Sequence, residues 1–352
     1  MPGRPMPRRP VEPPAAAAPP AAPHRGLYAE LHLHLGGAII PHILYVRLQR
    51  DGHPLLAKYP TYERFARVFT QRRSSLADYL RMHELVELVQ QPADPTLYYF
   101  VTRLVRGAYL FDNLAYVELR YTPYNRTDAH LPQSQRIDQM RSVVEVVAAA
   151  ATAQGQFPIR MAQILCAHSR LPAAVNDAIV DLAAAMPGQV CGVDLAGPDV
   201  AYAERMPEFV KLFRRARRLG LKTTAHLFET ADGCHPALLP YLDRIGHGLQ
   251  IPLRFPDLLK AVARRKQCLE ICPTTYLRTG TLQDYADLRD VFLRCRDAGV
   301  PIALCTDNAG LHGVRLPNEY ENLLTRDVIT FEQMRECQRA SFDHAFSATT
   351  VR

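Results

Sequence analysis

An α/β fold, specifically a (β/α)8 TIM barrel with a helical insertion after the first strand, is the architecture the sequence predicts. Three observations carry it. Eight short β-rich runs alternate with helical stretches, the mark of βαβ units and a parallel sheet. The polar candidates fall at the C-terminal ends of those runs, the face on which such barrels build their sites. A length of 352 residues suits one barrel with insertions better than a sandwich or a doubly wound sheet.

Residues 1–25 consist largely of Pro, Ala and Arg and lack the continuous apolar stretch of a secretory signal. They read as a disordered tail or as the product of an upstream mis-assigned start codon. Residues 26–352 read as a single barrel domain. The first strand covers Leu27–His34. A long helical insertion follows, including Glu63–Phe69 and Leu76–His83, in which Phe65/Phe69 and Leu76/Leu80 are i, i+4 apolar pairs. This segment either caps the barrel mouth or packs on its wall. The stretch His83-Glu-Leu-Val-Glu87 opens like a metalloprotease helix but lacks the second histidine, so it reads as an exposed or packing turn. The remaining strands are expected at Ala115–Tyr121, Ile159–Cys166, Val190–Leu195, Leu221–His226, Arg244–His247, Gln267–Cys272 and Pro301–Thr306.

Composition narrows the class. Hydrophobic residues make up 48% and charged residues 22%, enough apolar material for a substantial core. The net charge of +7 favours anionic partners only weakly, and no nucleic-acid-binding motif accompanies it. No apolar run approaches the roughly 20 residues of a membrane span. The eight cysteines form no Cys-x-x-Cys pair, and Cys166, Cys191, Cys268, Cys272 and Cys305 lie in or beside apolar runs. Buried free thiols in a reducing cytoplasm fit that distribution better than a disulfide framework.

The chemistry begins with Glu30-Leu-His32-Leu-His34-Leu-Gly36-Gly37. Histidines at i and i+2 of a strand point to one side and can reach one metal ion. His226 and Asp307 would complete a nitrogen/oxygen site with room for water, the donor set of catalytic zinc. A strand histidine is often merely a hydrogen-bonded core residue, and Asp307 could equally be a helix N-cap. Glu229, three residues past His226, would sit on the following loop and shuttle protons, or else open the next helix. His247 lies between Gly246 and Gly248, which would leave its ring facing open space.

Taken in order, several segments resemble the adenosine deaminase family of zinc hydrolases. They are the His-x-His element, Tyr116-Val-Glu-Leu-Arg-Tyr-Thr-Pro123, Gly192-Val-Asp-Leu-Ala-Gly197, His226-x-x-Glu229, Arg244-Ile-Gly-His-Gly248, Cys272-Pro-Thr274 and Thr306-Asp307, spanning about residues 26–345. The resemblance implies one Zn2+ per chain on His32, His34, His226 and Asp307. It implies Glu229 as the proton carrier at ring N1, His247 as the group orienting the attacking hydroxide, and Gly197 as the backbone donor to purine N3. His34, Gly36 and Asn308 fall at the substrate. The implied reaction is hydrolytic deamination of adenosine or a related aminopurine nucleoside. The alternatives are the same chemistry on an N6-substituted, 5′-modified or other amino-heterocycle, or a nucleoside-binding protein without turnover.

Two positions depart from the family pattern. Gly36 stands where an acidic or amide residue is usual, which would open space for a larger substituent. Asn308 stands where a second Asp is usual, and an amide can donate as well as accept. The phenol of Tyr276, after Cys-Pro-Thr, is expected to reshape the pocket rim.

Overall fold

The computed structural model describes residues 28–71, 76–89, 96–198 and 201–347. The expected tail, residues 1–25, lies outside them. Among the described residues nine strand segments follow one another: β1 (Tyr28–His34), β2 (Leu114–Tyr121), β3 (Arg160–His168), β4 (Val190–Ala196), β5 (Lys222–Thr223), β6 (His226–Leu227), β7 (Arg244–His247), β8 (Cys268–Ile271) and β9 (Ile302–Leu304). The hydrogen-bonded order is β1-β2-β3-β4-β5 and β6-β7-β8-β9, and every pairing is parallel.

The expected fifth strand is divided between β5 and β6, because its partner changes midway. Thr224 N donates to Val193 O of β4 at 3.0 Å, whereas Ala225 O accepts from Gly246 N of β7 at 2.9 Å. The other junction joins the segment after β9 to β1. Asp307 N donates to His32 O and His34 N to Asp307 O, each at 2.8 Å. These bonds fix Asp307 against the two strand histidines.

Strands covered on both faces need apolar residues throughout rather than strict alternation, and β7 and β8 are buried at all four positions. Helices following the strands cover them. Ala173–Ala184 buries Val175, Ile179, Val180 and Ala183 and packs on β3 and β4, and Phe331–Asp343 packs on β1 and β9. Among the described residues, no helix is long and apolar enough to cross a membrane.

The insertion between β1 and β2 is helical, as expected. Phe65 and Phe69 are fully buried with ring centroids 5.0 Å apart, in edge-to-face contact. Leu76 falls outside the described side chains, but its helix, Leu76–Val89, places Leu80, His83 and Glu87 on the wall of the central cavity. Capping the mouth is therefore the use this helix has. His83–Glu87 is thus a packing turn rather than an exposed one, with Val86 fully buried and His83 and Glu87 facing the cavity.

Candidate active site

Three imidazoles meet at the C-terminal end of the barrel. Nε2 of His226 lies 3.2 Å from Nε2 of His32 and 2.9 Å from Nε2 of His34. Asp307 Oδ1 stands 3.4 Å from Nε2 of His34 and 3.7 Å from that of His32. The other ring nitrogens settle the proton positions. His32 Nδ1 faces Glu270 at 2.7 Å, and His226 Nδ1 faces both Asp194 and the Leu195 carbonyl at 3.1 Å. Those oxygens accept, so each Nδ1 carries hydrogen and each Nε2 presents a lone pair. Lone pairs aimed at one another across 3.2 Å repel unless a proton or a metal cation lies between them. The donor set and its carboxylate-oriented histidines fit a zinc ion.

The protein's own charges divide the cluster, keeping His32 and His34 neutral as ligands require and favouring a proton on His226 and Asp307 that a bound cation would displace. Burial, reinforced by Arg120, brings the His32 pKa down to about 3, and burial with the nearby His226 holds His34 well below its ordinary value. Burial also acts to lower His226, but the Asp194 carboxylate outweighs it and raises that residue. Burial pushes Asp307 up to about 6, against the opposing pull of His226. Thr275 Oγ1 donates to Asp307 Oδ2 at 3.0 Å. Asp307 is not a helix cap: Asn308 holds that position for Ala309–His312, and its side chain makes no capping bond.

Beneath the imidazoles runs a buried ionic network. Glu270 Oε2 accepts from Arg120 at 2.8 Å and Oε1 from Arg244 at 2.6 Å, while Arg120 also reaches Asp194 at 3.2 Å and Arg244 reaches Glu118. Burial alone would raise Glu270, yet the two guanidiniums keep it well below its ordinary value and hence an acceptor for His32. Register delivers these partners. Arg120 sits opposite His34 in the β1–β2 pair, and Asp194 opposite Cys166 in the β3–β4 pair.

Glu229 and His247 complete the cluster. Glu229 follows β6 in a turn, well ahead of the next helical segment at Pro236–Tyr241, so it does not open a helix. Its Oε2 lies 3.5 Å from His247 Nε2. His247 Nδ1 is 3.3 Å from the Tyr276 hydroxyl, which accepts from Cys272 N at 3.2 Å and can donate to the ring. That leaves the proton on Nε2, facing Glu229. The flanking glycines do not open space around His247, which is buried against His32, His226 and Tyr276. They admit close backbone packing instead: a Cβ at Gly246 would lie 2.9 Å from Ala225 O, and one at Gly248 2.7 Å from Leu269 Cδ2. Tyr276 is likewise not at the rim; it is fully buried behind His247. His247 and Asp307 both have left-handed backbones, with φ of 63° and 59°. Such conformations cost energy in non-glycine residues and concentrate at functional sites.

A cavity of about 580 Å³ opens over the cluster, and His34, Gly36, Gly197, Glu229, Asp307 and Asn308 line it. Gly197 has φ 96°, and a Cβ there would come within 2.6 Å of Ser169 Oγ. Asn308 seats its side chain against Gly37, where a Cβ would fall 1.7 Å from Oδ1. That buried oxygen accepts no hydrogen bond among the described residues. His83, Glu87, Arg126 and His168 also line the cavity; sequence reasoning assigns no site role to the first two, which read as an exposed or packing turn, and draws no attention to the others. His83 and Glu87 share one helix face by their i, i+4 spacing. His168 ends β3 two residues beyond the expected boundary. Glu270 was detectable as a lone carboxylate inside an apolar strand.

Comparison with known proteins supplies the identity of this architecture. The adenosine deaminase family model matches residues 28–352. The adenine deaminase of Cupriavidus necator is 31% identical over 329 residues, covering 90% of this chain and 87% of that protein. The adenosine deaminase of Clostridium acetobutylicum is 27% identical, covering 90% and 92% respectively. Among solved structures, the adenine deaminase of Arthrobacter aurescens superposes with a TM-score of 0.78 at 20% identity, covering 92% of this chain and 94% of that one, which establishes the shared barrel. With the family match running from the first residue of β1 to the end of the chain, this protein belongs to the adenosine deaminase family of hydrolytic deaminases.

Proposed function

We propose that this enzyme is a zinc-dependent deaminase that converts the 6-amino group of adenosine or a related aminopurine nucleoside to a 6-oxo group, releasing ammonia. The convergence of His32, His34, His226 and Asp307 beside Glu229 and His247 carries this reading. Those first four residues would hold one zinc ion per chain. A zinc ion there would act as a Lewis acid and bring the pKa of water to about 7, so that hydroxide is available at neutral pH.

The protein's own groups then act on the purine. Glu229 donates a proton to ring N1 as C6 becomes tetrahedral, so the ring nitrogen need not carry developing negative charge. His247, its Nε2 hydrogen directed towards Glu229, orients the attacking oxygen. The backbone of Gly197 meets purine N3, Asn308 faces the N7 edge, and His34 and Gly36 border the substrate. Burial of these groups excludes bulk water, so each hydrogen bond acts at low local dielectric. A proton passing to the exocyclic nitrogen lets ammonia leave and restores the ring.

The Asn308 amide favours keeping a second substrate class in view, namely N6-substituted or 5′-modified adenine nucleosides or another amino-heterocycle. Metal analysis should return one zinc per chain. A panel of adenine, adenosine, their N6- and 5′-modified forms and other amino-heterocycles, followed by ammonia release, ranks the substrates. Zinc-loaded protein that turns over none of them would leave the binding-only alternative standing.

A further inference from the structure

Gly36 was expected to leave room beside the substrate. Gly36 does line the cavity, but one side of the position is already occupied. A Cβ built on Gly36 would lie 3.2 Å from Glu87 Oε1, 3.6 Å from Arg126 Nη2 and 3.7 Å from Val86 Cγ1. The carboxylate that a residue at position 36 could have supplied is therefore present at the same wall, but it arrives from the helix Leu76–Val89.

Arg126 fixes it there. Its Nη2 donates to Glu87 Oε1 at 2.7 Å and its Nη1 to Thr122 O at 3.2 Å, and its guanidinium lies 5.4 Å from the centroid of the Tyr121 ring. Arg126 is fully buried, so this anchor has little freedom. The other carboxylate oxygen, Glu87 Oε2, is shielded from solvent and accepts no hydrogen bond among the described residues. A buried acceptor without a donor marks a missing partner. Leu80 and His83, two turns and one turn earlier, line the same cavity, with the His83 ring 6.2 Å from that of His34. A group extending from the heterocycle towards the mouth would pass this face.

We propose that Glu87, held by Arg126, is a specificity-determining residue, accepting a hydrogen bond from a sugar hydroxyl of the substrate in place of a side chain at position 36. The inference rests on the deaminase reading above and names the substrate class within it: a neutral, hydroxyl-bearing aminopurine nucleoside. The free base offers Glu87 no hydroxyl, and a 5′-phosphate monoester, although it keeps the 2′ and 3′ hydroxyls, brings a second anion to the carboxylate.

The test uses the full-length zinc-loaded enzyme with adenine, adenosine, its 2′-, 3′- and 5′-deoxy forms and adenosine 5′-monophosphate. Glu87→Ala removes the carboxylate. Glu87→Gln keeps an oxygen for Arg126 but puts an NH2 where the acceptor was, so it preserves packing; its melting curve verifies folding. Both variants should raise KM for adenosine by about tenfold with kcat within about twofold, and leave adenine unchanged. One of the three deoxynucleosides should lose the sensitivity to Glu87. Equal effects on adenine and adenosine, or a wild-type preference for the monophosphate, would overturn the proposal. If the wild-type enzyme deaminates no aminopurine, the deaminase reading fails, and calorimetry with inosine and hypoxanthine still decides on Glu87. Inosine binding weakened by about tenfold in Glu87→Gln, with hypoxanthine unchanged, supports the proposal; unchanged inosine binding overturns it.

Discussion

Glu270 Oε2 accepts a hydrogen bond from His32 Nδ1 at 2.7 Å, with both side chains fully shielded from solvent. The same oxygen accepts from Arg120 at 2.8 Å, and Oε1 accepts from Arg244 at 2.6 Å. One carboxylate thus sets the tautomer of an imidazole in the cluster and bridges two guanidiniums, whose charge it balances together with Asp194 and Glu118. Glu270→Gln should lower zinc affinity by about 10–100-fold, the usual effect of removing a partner that orients a ligand. It should also cost about 3–5 kcal/mol of stability, because each buried guanidinium loses one of its two carboxylate partners. Chelator competition measures the first and urea unfolding of the metal-free protein the second. Unchanged zinc affinity would show that His32 does not depend on this partner.

Much of the barrel was legible because its signals are local. An apolar run such as Ala115–Tyr121 is a strand by composition, and His32/His34 point one way by strand geometry alone. Glu270 and His32 lie 238 residues apart, and only register across the barrel joins them. Tyr276 looked like a rim residue because a phenol beside Cys-Pro-Thr carries no sign of which way it faces. Gly36 suggested empty space for the same reason: sequence records what a position lacks, not what another element brings to it. The split of the fifth strand is equally invisible, since it reflects a change of partner at Thr224 and Ala225.

Glu229 touches the proposed reaction without belonging to the imidazole cluster, and its Oε2 is 3.5 Å from His247 Nε2. Glu229→Gln keeps shape but cannot carry the proton to and from the ring. Turnover should fall by about 10²–10⁴-fold, the usual range for a general acid–base group, while zinc content stays at the wild-type level. Parallel loss of zinc and activity would instead assign Glu229 to the metal.

Asn308 presents a specificity test. Its amide acts to lower the pKa of the neighbouring Asp307, and its Oδ1 is buried with no hydrogen-bond donor among the described residues. Purine N7 is itself an acceptor, so a remaining amide oxygen is the wrong partner. Asn308→Asp is nearly isosteric, and in this buried setting a protonated carboxyl could donate to N7. The variant should raise kcat/KM for adenosine by about tenfold. Steady-state rates on adenosine and on the best substrate of the panel measure it; an equal change on both would remove this position as the determinant.

Glu319 should make stability depend on pH in a direction opposite to that of a salt-bridged carboxylate. It is fully buried, accepts from Thr274 N at 3.1 Å through Oε1, and has no hydrogen-bond partner for Oε2 among the described residues. Burial pushes its pKa from 4.5 up to about 7, despite the opposing hydrogen bonds from Thr274. The native state therefore keeps a proton that the unfolded chain has released between those values. Stability falls as pH rises through that window, by at most about 3 kcal/mol. Glu319→Gln removes the titration while retaining an oxygen for Thr274. The variant should gain stability relative to wild type between pH 5 and pH 8, measured as the difference in unfolding free energy at each pH so that common contributions from the histidines cancel. A difference that stays flat across this range would mean that Glu319 is ionised in the folded protein.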